Sequence, residues 1–535
     1  METLVPIEGL REKISRVQRF GFLTQKKYIG TSLSKDIDMN DLTLEEFLRL
    51  SSQGNLIPVY REIHGDLETP VSAYYKLAGR SAYSFLLESV EGEEKIARYS
   101  FIARDPELVF TSKGHEAQIL RFEKGRQVSE KISFTGSPLS VVRELMRDYR
   151  AVDVAGLPRF FGGMVGFLSY DCVRFFEVLP DKTTDDLSLP DICMALARDL
   201  VIFDHRHHTI KVVSCVYLSK KDKSETKIKK YKAAQKAIDA LIADLQKPLS
   251  VPASKKGIKK ISVKSNCTKA QYEQMVIKGK AHIKAGDIFQ IVLSQRLEVD
   301  ISVDAFEIYR CLRVLNPSPY MFYLNFGGLQ LVGASPELLV RCENGLVETR
   351  PIAGTRPRGI NEAEDQALMK SLLADPKEKA EHIMLVDLGR NDLGRVCDKG
   401  TVRLSEFMGV EKYSHVMHIV SNVQGKLRKD MDALDVLEAA FPAGTLSGAP
   451  KIRAMEIIED LEAQKRGPYG GAVGYFSFSK NLDTCITIRT IVVHKHKAYV
   501  QAGAGIVADS VPATEYIETM NKAKAQIKAI EMAHL

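Results

Sequence analysis

A lysine-rich stretch divides this chain. Residues 219–260 carry 13 Lys, no Arg and 4 acids, a local net charge of +9. The whole chain of 535 residues has 75 Lys and Arg against 68 Asp and Glu, a net of +7, so everything else sums to −2. The positive excess is local, and such a run reads as a solvated linker, not a nucleic-acid site. Inside it, Ile228, Tyr231, Ile238, Leu241 and Leu245 recur at helical spacing from Glu225 to Leu245, with Lys on the other face. Pro248, Pro252 and the Lys255–Lys260 cluster then mark a boundary. The division expected is 1–218, a helix and linker over 219–262, and 263–531. At roughly 100–200 residues per domain the length fits two to four domains.

Hydrophobic residues make up 45% and charged residues 27%, which excludes a disordered or collagen-like chain. No apolar run approaches the ~18 residues of a membrane span. Met1-Glu2-Thr3-Leu4 lacks the features of a signal peptide, and Ala533-His534-Leu535 carries no lipidation box. A soluble cytoplasmic protein is expected. The eight Cys are scattered without a C-x-x-C pair, which fits reduced thiols better than a zinc ribbon or a disulfide framework.

The first region reads as mixed α/β. A helical segment at Leu42–Leu50 precedes extended stretches at Ser84–Ser89 and Arg98–Ile102, and a glycine-punctuated run at Phe160–Phe167. A hairpin pairs Leu200–Phe203 with Ile210–Leu218 across a turn holding His205, His207 and His208, read as exposed and not as a metal site. The last region alternates helices and strands. The class expected is α/β (α+β), with β-sheets packed together and flanked by helices.

Three segments of the last region place charged groups for a reason. In Asp375-Pro376-Lys377-Glu378, Asp375 can N-cap a helix, Pro376 suits its first position, and Glu378 sits where a capping-box acid belongs. Glu381 is then a mid-helix carboxylate beside an apolar run, either a paired surface residue or a ligand. Glu515, Glu518 and Lys522 share one helix face. Glu518 and Lys522 read either as an i, i+4 pair or as a second acid aimed at a divalent cation. Tyr499–Ala508 contains G-x-G-x-x-A, but too little chain follows for a dinucleotide fold. A small-residue turn whose N–H groups approach a carboxylate is expected at Gly503, Ala504 and Gly505 instead. Arg489, in the strand-like run Cys485–Ile491, is a candidate carboxylate clamp or a structural ion pair. Gly444–Lys451 lacks the ending of a phosphate-binding loop. His415 and His418 sit among apolar residues as core histidines do.

Several long segments carry a resemblance that covers nearly the whole chain. They are Pro351–Gly359, Glu381–Asp392, Gly444–Lys451, Tyr469–Tyr475 and Gly503–Gly505. Together they resemble the chorismate-utilising enzymes, most closely the anthranilate synthase component I family. Leu86-Leu87-Glu88-Ser89 looks like that family's tryptophan-sensing segment, and Asn316–Phe322 like its partner.

The resemblance implies a chorismate-binding fold with an N-terminal regulatory region. It implies that Glu381 and Glu518 hold Mg²⁺ against the ring carboxylate of chorismate, and that Gly354 and Thr355 line the ring site. Tyr469, Arg489, Gly503, Ala504 and Gly505 would receive the enolpyruvyl carboxylate, with Lys522 beside them. Glu337 would be the general acid, His418 would contact the ring hydroxyl region and Thr445 would orient substrate. Glu88, Ser89, Pro319, Tyr320 and Met321 would bind tryptophan as feedback inhibitor. No Cys sits in a glutaminase-like elbow, so a separate glutamine amidotransferase subunit and a hetero-oligomer are implied. The rivals are aminodeoxychorismate synthase component I, whose matching segment reads P-I-K-G-T where this chain has Ala353; an isochorismate- or salicylate-forming relative, with a Lys where this chain has Gln290; and an inactive amino-acid sensor.

Overall fold

The computed structural model describes residues 42–79, 81–90, 98–123, 126–251, 261–413 and 416–535. His415 and the Lys255–Lys260 cluster lie outside them. Two antiparallel sheets of twelve strands each dominate the described residues. The first runs from Leu56–His64 at one edge, through Tyr83–Glu88 beside Tyr320–Phe326, to Lys497–Ile506 and Gln290–Asp300 near the other. The second runs from Ile352–Pro357 and Val416–Lys426, through Ala472–Ser477 beside Gly163–Leu168, to Arg126–Ser133.

Strands from before and after the lysine-rich stretch therefore share both sheets. In the first sheet the two parts meet where Glu88 pairs with Met321 and Leu87 with Phe322. In the second they meet where Phe167 pairs with Val473. Apolar side chains between the sheets, such as Phe85, Phe110, Phe167, Leu331 and Val340, form the largest buried cluster. Burial of this area supplies about 25 cal/mol per Å². A second cluster joins the outer face of the first sheet to the helices Pro70–Leu77, Ser224–Leu245, Ala305–Leu315 and Pro512–Ala533. The helix expected at Glu225–Leu245 forms as Ser224–Leu245 and buries Tyr231, Ile238, Leu241 and Leu245 against this sheet.

The expected hairpin forms between Asp199–Asp204 and Thr209–Tyr217. The ring of His207 contacts Asp204 at 3.0 Å. No described helix is long and apolar enough to cross a membrane.

Two strand pairs leave one sheet for the other side by side. Leu329–Ser335 belongs to the first sheet and Leu338–Glu343 to the second, with Pro336 and Glu337 at the crossing. Leu482–Ile486 belongs to the second and Thr490–His494 to the first, with Arg489 at the crossing. The Cys485–Ile491 run is thus not one strand. The crossings are tied together: Ser335 Oγ donates to the Ile486 carbonyl at 2.6 Å, and the Ile486 amide to the Glu337 carbonyl at 3.0 Å. Arg489 takes φ +52°, a left-handed conformation uncommon for a residue with a side chain.

Candidate active site

A cavity of about 600 Å³ lies beside these crossings and is lined from both sheets. Its lining gathers Glu337, Gly354, Thr355, Glu381, His418, Thr445, Tyr469, Arg489, Gly503, Gly505, Glu518 and Lys522. Helix Pro376–Gly394 begins as expected: the Asp375 side chain accepts from the Lys377 and Glu378 amides, and Pro376 occupies the first turn. Glu378 does not close a capping box. Its carboxylate pairs with Arg356 at 3.2 Å and faces the cavity one turn before Glu381.

Helix Pro512–Ala533 presents Glu515, Glu518 and Lys522 to the same space. The i, i+4 pair is present, with Lys522 Nζ 2.7 Å from Glu518 Oε1, and the same ammonium donates to the Gly503 carbonyl at 3.0 Å. Four carboxylates thus face the cavity from two helices, each helix contributing an i, i+3 pair. Burial, then Glu378, pushes the Glu381 carboxyl above its ordinary value. Burial and Glu518 raise Glu515 in the same way, although the Ser510 side chain pulls against them.

Glu337 is buried, only 8% exposed. Burial pushes its carboxyl up to about 8, against smaller opposing pulls from Thr445 and Lys522. A carboxyl with that value carries its proton at neutral pH. His418 Nδ1 lies 2.7 Å from the Gly354 carbonyl. Only a protonated ring nitrogen bonds a carbonyl, so we assign the proton to Nδ1 and leave Nε2 as an acceptor. Gly354 itself has φ +68°, which favours glycine there.

Arg489 makes no ion pair among the described residues; its Nη1 donates to the Lys522 carbonyl at 2.5 Å. Burial lowers its pKa from the ordinary guanidinium value, so its charge is under-compensated. Tyr469 is buried beside it. A Cβ on Gly503 would lie 2.7 Å from the Tyr469 hydroxyl, so only glycine leaves room for that phenol.

Gly503, Ala504 and Gly505 do not form the expected turn. They lie within strand Lys497–Ile506, paired with Ser294, Leu293 and Val292. Side chains alternate along a strand. Gly503 and Gly505 therefore line the cavity, while Ala504 turns its methyl into the cluster with Tyr272 and Val276 on the opposite face. Sequence reasoning gave no site role to Lys377, Glu378, Gln501 or Glu515, which also line the cavity. The signal for the two acids was the i, i+3 spacing to Glu381 and Glu518. Gln290, weighed only against Lys, lines it too, and its Oε1 is buried without a partner.

The comparisons with known proteins meet this geometry. The family profile described as chorismate binding enzyme matches residues 82–528. The anthranilate synthase component 1 of Acetivibrio thermocellus is 49% identical over 500 residues, covering 92% of this chain and 98% of that protein. That of Aquifex aeolicus is 48% identical over 499 residues, with the same coverage. The chain belongs to the anthranilate synthase component 1 family of chorismate-binding enzymes. The crystal structure of anthranilate synthase component I from Streptococcus pneumoniae TIGR4 superposes with a TM-score of 0.70 at 37% identity, covering 87% of this chain and 99% of that one. The menaquinone-specific isochorismate synthase MenF of Escherichia coli shares the fold at 19% identity, with a TM-score of 0.64.

This family member has a second cavity, of about 630 Å³, lined from both sheets. Glu88, Ser89, Pro319, Tyr320 and Met321, the expected tryptophan residues, all line it. Tyr309 and Arg313 bind the Glu88 carboxylate, Arg313 at 3.0 and 3.1 Å. Arg159 bonds Glu343 and Asp483, and Arg341 bonds Asp483 as well. Phe101, Phe322 and Tyr475 supply apolar walls.

Proposed function

We propose that this chain is the large subunit of an anthranilate synthase, a lyase that converts chorismate and ammonia into anthranilate and pyruvate. This would be the first committed step of tryptophan biosynthesis. One observation carries the reading: a buried Glu337, whose burial favours the protonated form, shares a cavity with four carboxylates and with Arg489, which has no ion pair among the described residues. In this reaction ammonia bonds to ring C2, the ring double bonds shift and the C4 hydroxyl departs. Hydroxide leaves poorly, so Glu337 gives it a proton and it departs as water. Loss of the C2 proton and cleavage of the bond to the enolpyruvyl oxygen then release pyruvate and an aromatic ring.

The donor set fits a magnesium ion. Glu381 and Glu518 offer hard oxygen ligands, and the Glu381 and Glu515 carboxyls stay above their ordinary value although Lys377 and Lys522 pull them down. Bound Mg²⁺ would neutralise the ring carboxylate and fix its orientation. Arg489 and the Tyr469 hydroxyl suit the enolpyruvyl carboxylate, beside the open backbone of Gly503 and Gly505. Gly354 and Thr355 flank the ring, His418 Nε2 can accept from a ring hydroxyl, and Thr445 lies beside Glu337.

No cysteine serves as a glutaminase nucleophile. Cys172, for example, is buried with its Sγ 3.0 Å from the Asp191 carbonyl, and burial raises its pKa well above the thiol value. A separate glutamine amidotransferase subunit, and hence a hetero-oligomer in the cytoplasm, supplies the ammonia. Free tryptophan occupies the inter-sheet cavity and inhibits. Ala353 lines the active site with a methyl group, so no side chain there attacks C2 as a Lys could. The test incubates the pure chain with chorismate, Mg²⁺ and ammonium. Anthranilate and pyruvate, with no mass adduct on the protein, are expected. Release of aminodeoxychorismate, or a chorismate-derived adduct, would overturn the assignment.

A further inference from the structure

Behind the cavity wall lies a buried ion pair that none of these roles uses. Arg466 is 4% and Glu462 8% exposed. They are joined twice, Arg466 Nε to Glu462 Oε2 at 2.8 Å and Nη2 to Oε1 at 2.6 Å. Neither lines the active cavity, yet Arg466 bonds residues that do, and Glu462 reaches one through Ser294. Arg466 Nη1 donates to the Leu446 carbonyl at 2.7 Å, next to Thr445, and Nη2 to the Val292 carbonyl at 2.8 Å. The guanidinium carbon stands 5.7 Å from the centre of the Tyr469 ring. Glu462 accepts from the Ser294 amide at 2.8 Å and from Ser294 Oγ at 2.9 Å. Ser294 Oγ in turn accepts from Gln501 Nε2 at 2.9 Å.

One charge pair thus reaches three separate chain segments that carry cavity-lining side chains. Stability alone is a weak reason for such a pair, because replacing a buried ion pair by neutral residues of similar volume is often harmless or stabilising. Planar, fixed donors do set geometry, and a misplacement of about 1 Å in a reacting group costs about 100-fold in rate. We propose that Arg466, held by Glu462, is a positioning residue of the active site. It fixes Thr445, Tyr469 and Gln501 relative to one another, and so relative to substrate. This rests on the function proposed above.

The experiment compares the wild-type chain, Arg466→Lys and the double variant R466M/E462Q. It reads kcat and KM for chorismate with Mg²⁺ and ammonium, and thermal melting by circular dichroism. The double variant removes both charges while its new amide oxygen can still accept from Ser294. It is expected to melt close to wild type, yet to lose about 100-fold in kcat/KM, with the KM for chorismate raised about tenfold. Lysine keeps the charge but not the fork, so Arg466→Lys is expected to show the same raised KM. A folded double variant with wild-type kcat and KM would overturn the proposal. So would a lower kcat at unchanged KM, which marks a smaller active fraction, or loss of folding in both variants. An inactive wild-type chain would instead strike the function on which the proposal rests.

Discussion

Two cavities lined from both sheets are nearly equal in size, about 600 and 630 Å³, but their charges are arranged differently. In the proposed tryptophan pocket several charges are closed on one another: Arg159 with Glu343 and Asp483, Arg341 with Asp483, Glu88 with Arg313. In the candidate active site Glu378 pairs with Arg356 and Glu518 with Lys522, but other charges are left open. Arg489 has no ion pair among the described residues, and Glu337, Glu381 and Glu515 sit above their ordinary values. Open charges store electrostatic free energy that a ligand of opposite charge releases, which suits a dianionic substrate with a divalent cation. A closed network must exchange partners when a ligand enters, which suits a switch. Substitutions in the first cavity should therefore cost turnover and little stability. Substitutions in the second should cost stability or regulation and little turnover.

The largest effect is expected at Glu337. Glu337→Gln removes the proton donor and should lower kcat by about 10²–10⁴-fold. The carboxyl holds its proton up to about 8, so wild-type turnover at fixed free ammonia should fall as pH rises through about 8. That limb should vanish in the variant. The stability sign is the same. The folded carboxyl keeps its proton where the unfolded one has lost it, so its contribution is present at low pH and is lost as pH rises through about 8. The variant should melt with less sensitivity to pH between about 4.5 and about 8. A retained limb at about 8 would assign the acid elsewhere.

The next effect is at Glu518. Glu518→Gln keeps the shape and removes the charge. The apparent affinity for Mg²⁺ should weaken by about 10–100-fold, with turnover falling accordingly. Melting should barely move, because the half-exposed Lys522 pair is worth under about 1 kcal/mol. Normal turnover with slightly lower stability would reduce Glu518 to a surface partner.

How much of this could be read in the sequence depended on the range of the cause. The face shared by Glu515, Glu518 and Lys522 follows from helical spacing, and the cap at Asp375 from local chemistry. Both were legible. The crossings at Glu337 and Arg489 were not, because Ile486, Ile488 and Ile491 are apolar on either side of the switch between sheets. The glycines at 503 and 505 read as a turn from their size alone. They are strand residues kept small by Tyr469 and Gln290, which lie far away in the chain. The sharing of both sheets across the lysine-rich stretch is likewise a matter of strand order, which local pattern does not encode.

The proposed regulatory pocket gives a smaller effect on turnover and a sharper test of the comparison. Ser89→Phe fills space beside Tyr320 and Met321, and should abolish tryptophan inhibition with kcat unchanged. In the wild type, tryptophan and chorismate should weaken each other by one common factor of about 5–150-fold, as linkage requires. The chain has no Trp, so the fluorescence of bound tryptophan can be titrated with and without chorismate. Unequal factors, or inhibition that survives Ser89→Phe, would remove the switch from this pocket.

The smallest effect concerns one link of the closed network. Glu88 is almost wholly buried, and its two oxygens are held by Arg313 and by the Tyr309 hydroxyl. Arg313→Met keeps the aliphatic stem against the helix and removes the fork, leaving the carboxylate with Tyr309. Losing a hydrogen bond to a buried charged group costs about 1–3 kcal/mol, and Arg313 is itself about one-third exposed, so the lower end applies. Melting should drop by a few degrees, and the tryptophan concentration for half-inhibition should shift by less than about tenfold. Turnover of chorismate in the absence of tryptophan should stay as it is, because Arg313 touches no group of the active site. Melting and inhibition curves of the variant beside wild type decide it. A fall in uninhibited kcat with unchanged melting would mean that the network is wired into the chemistry, and that the two cavities are not divided as their charges suggest.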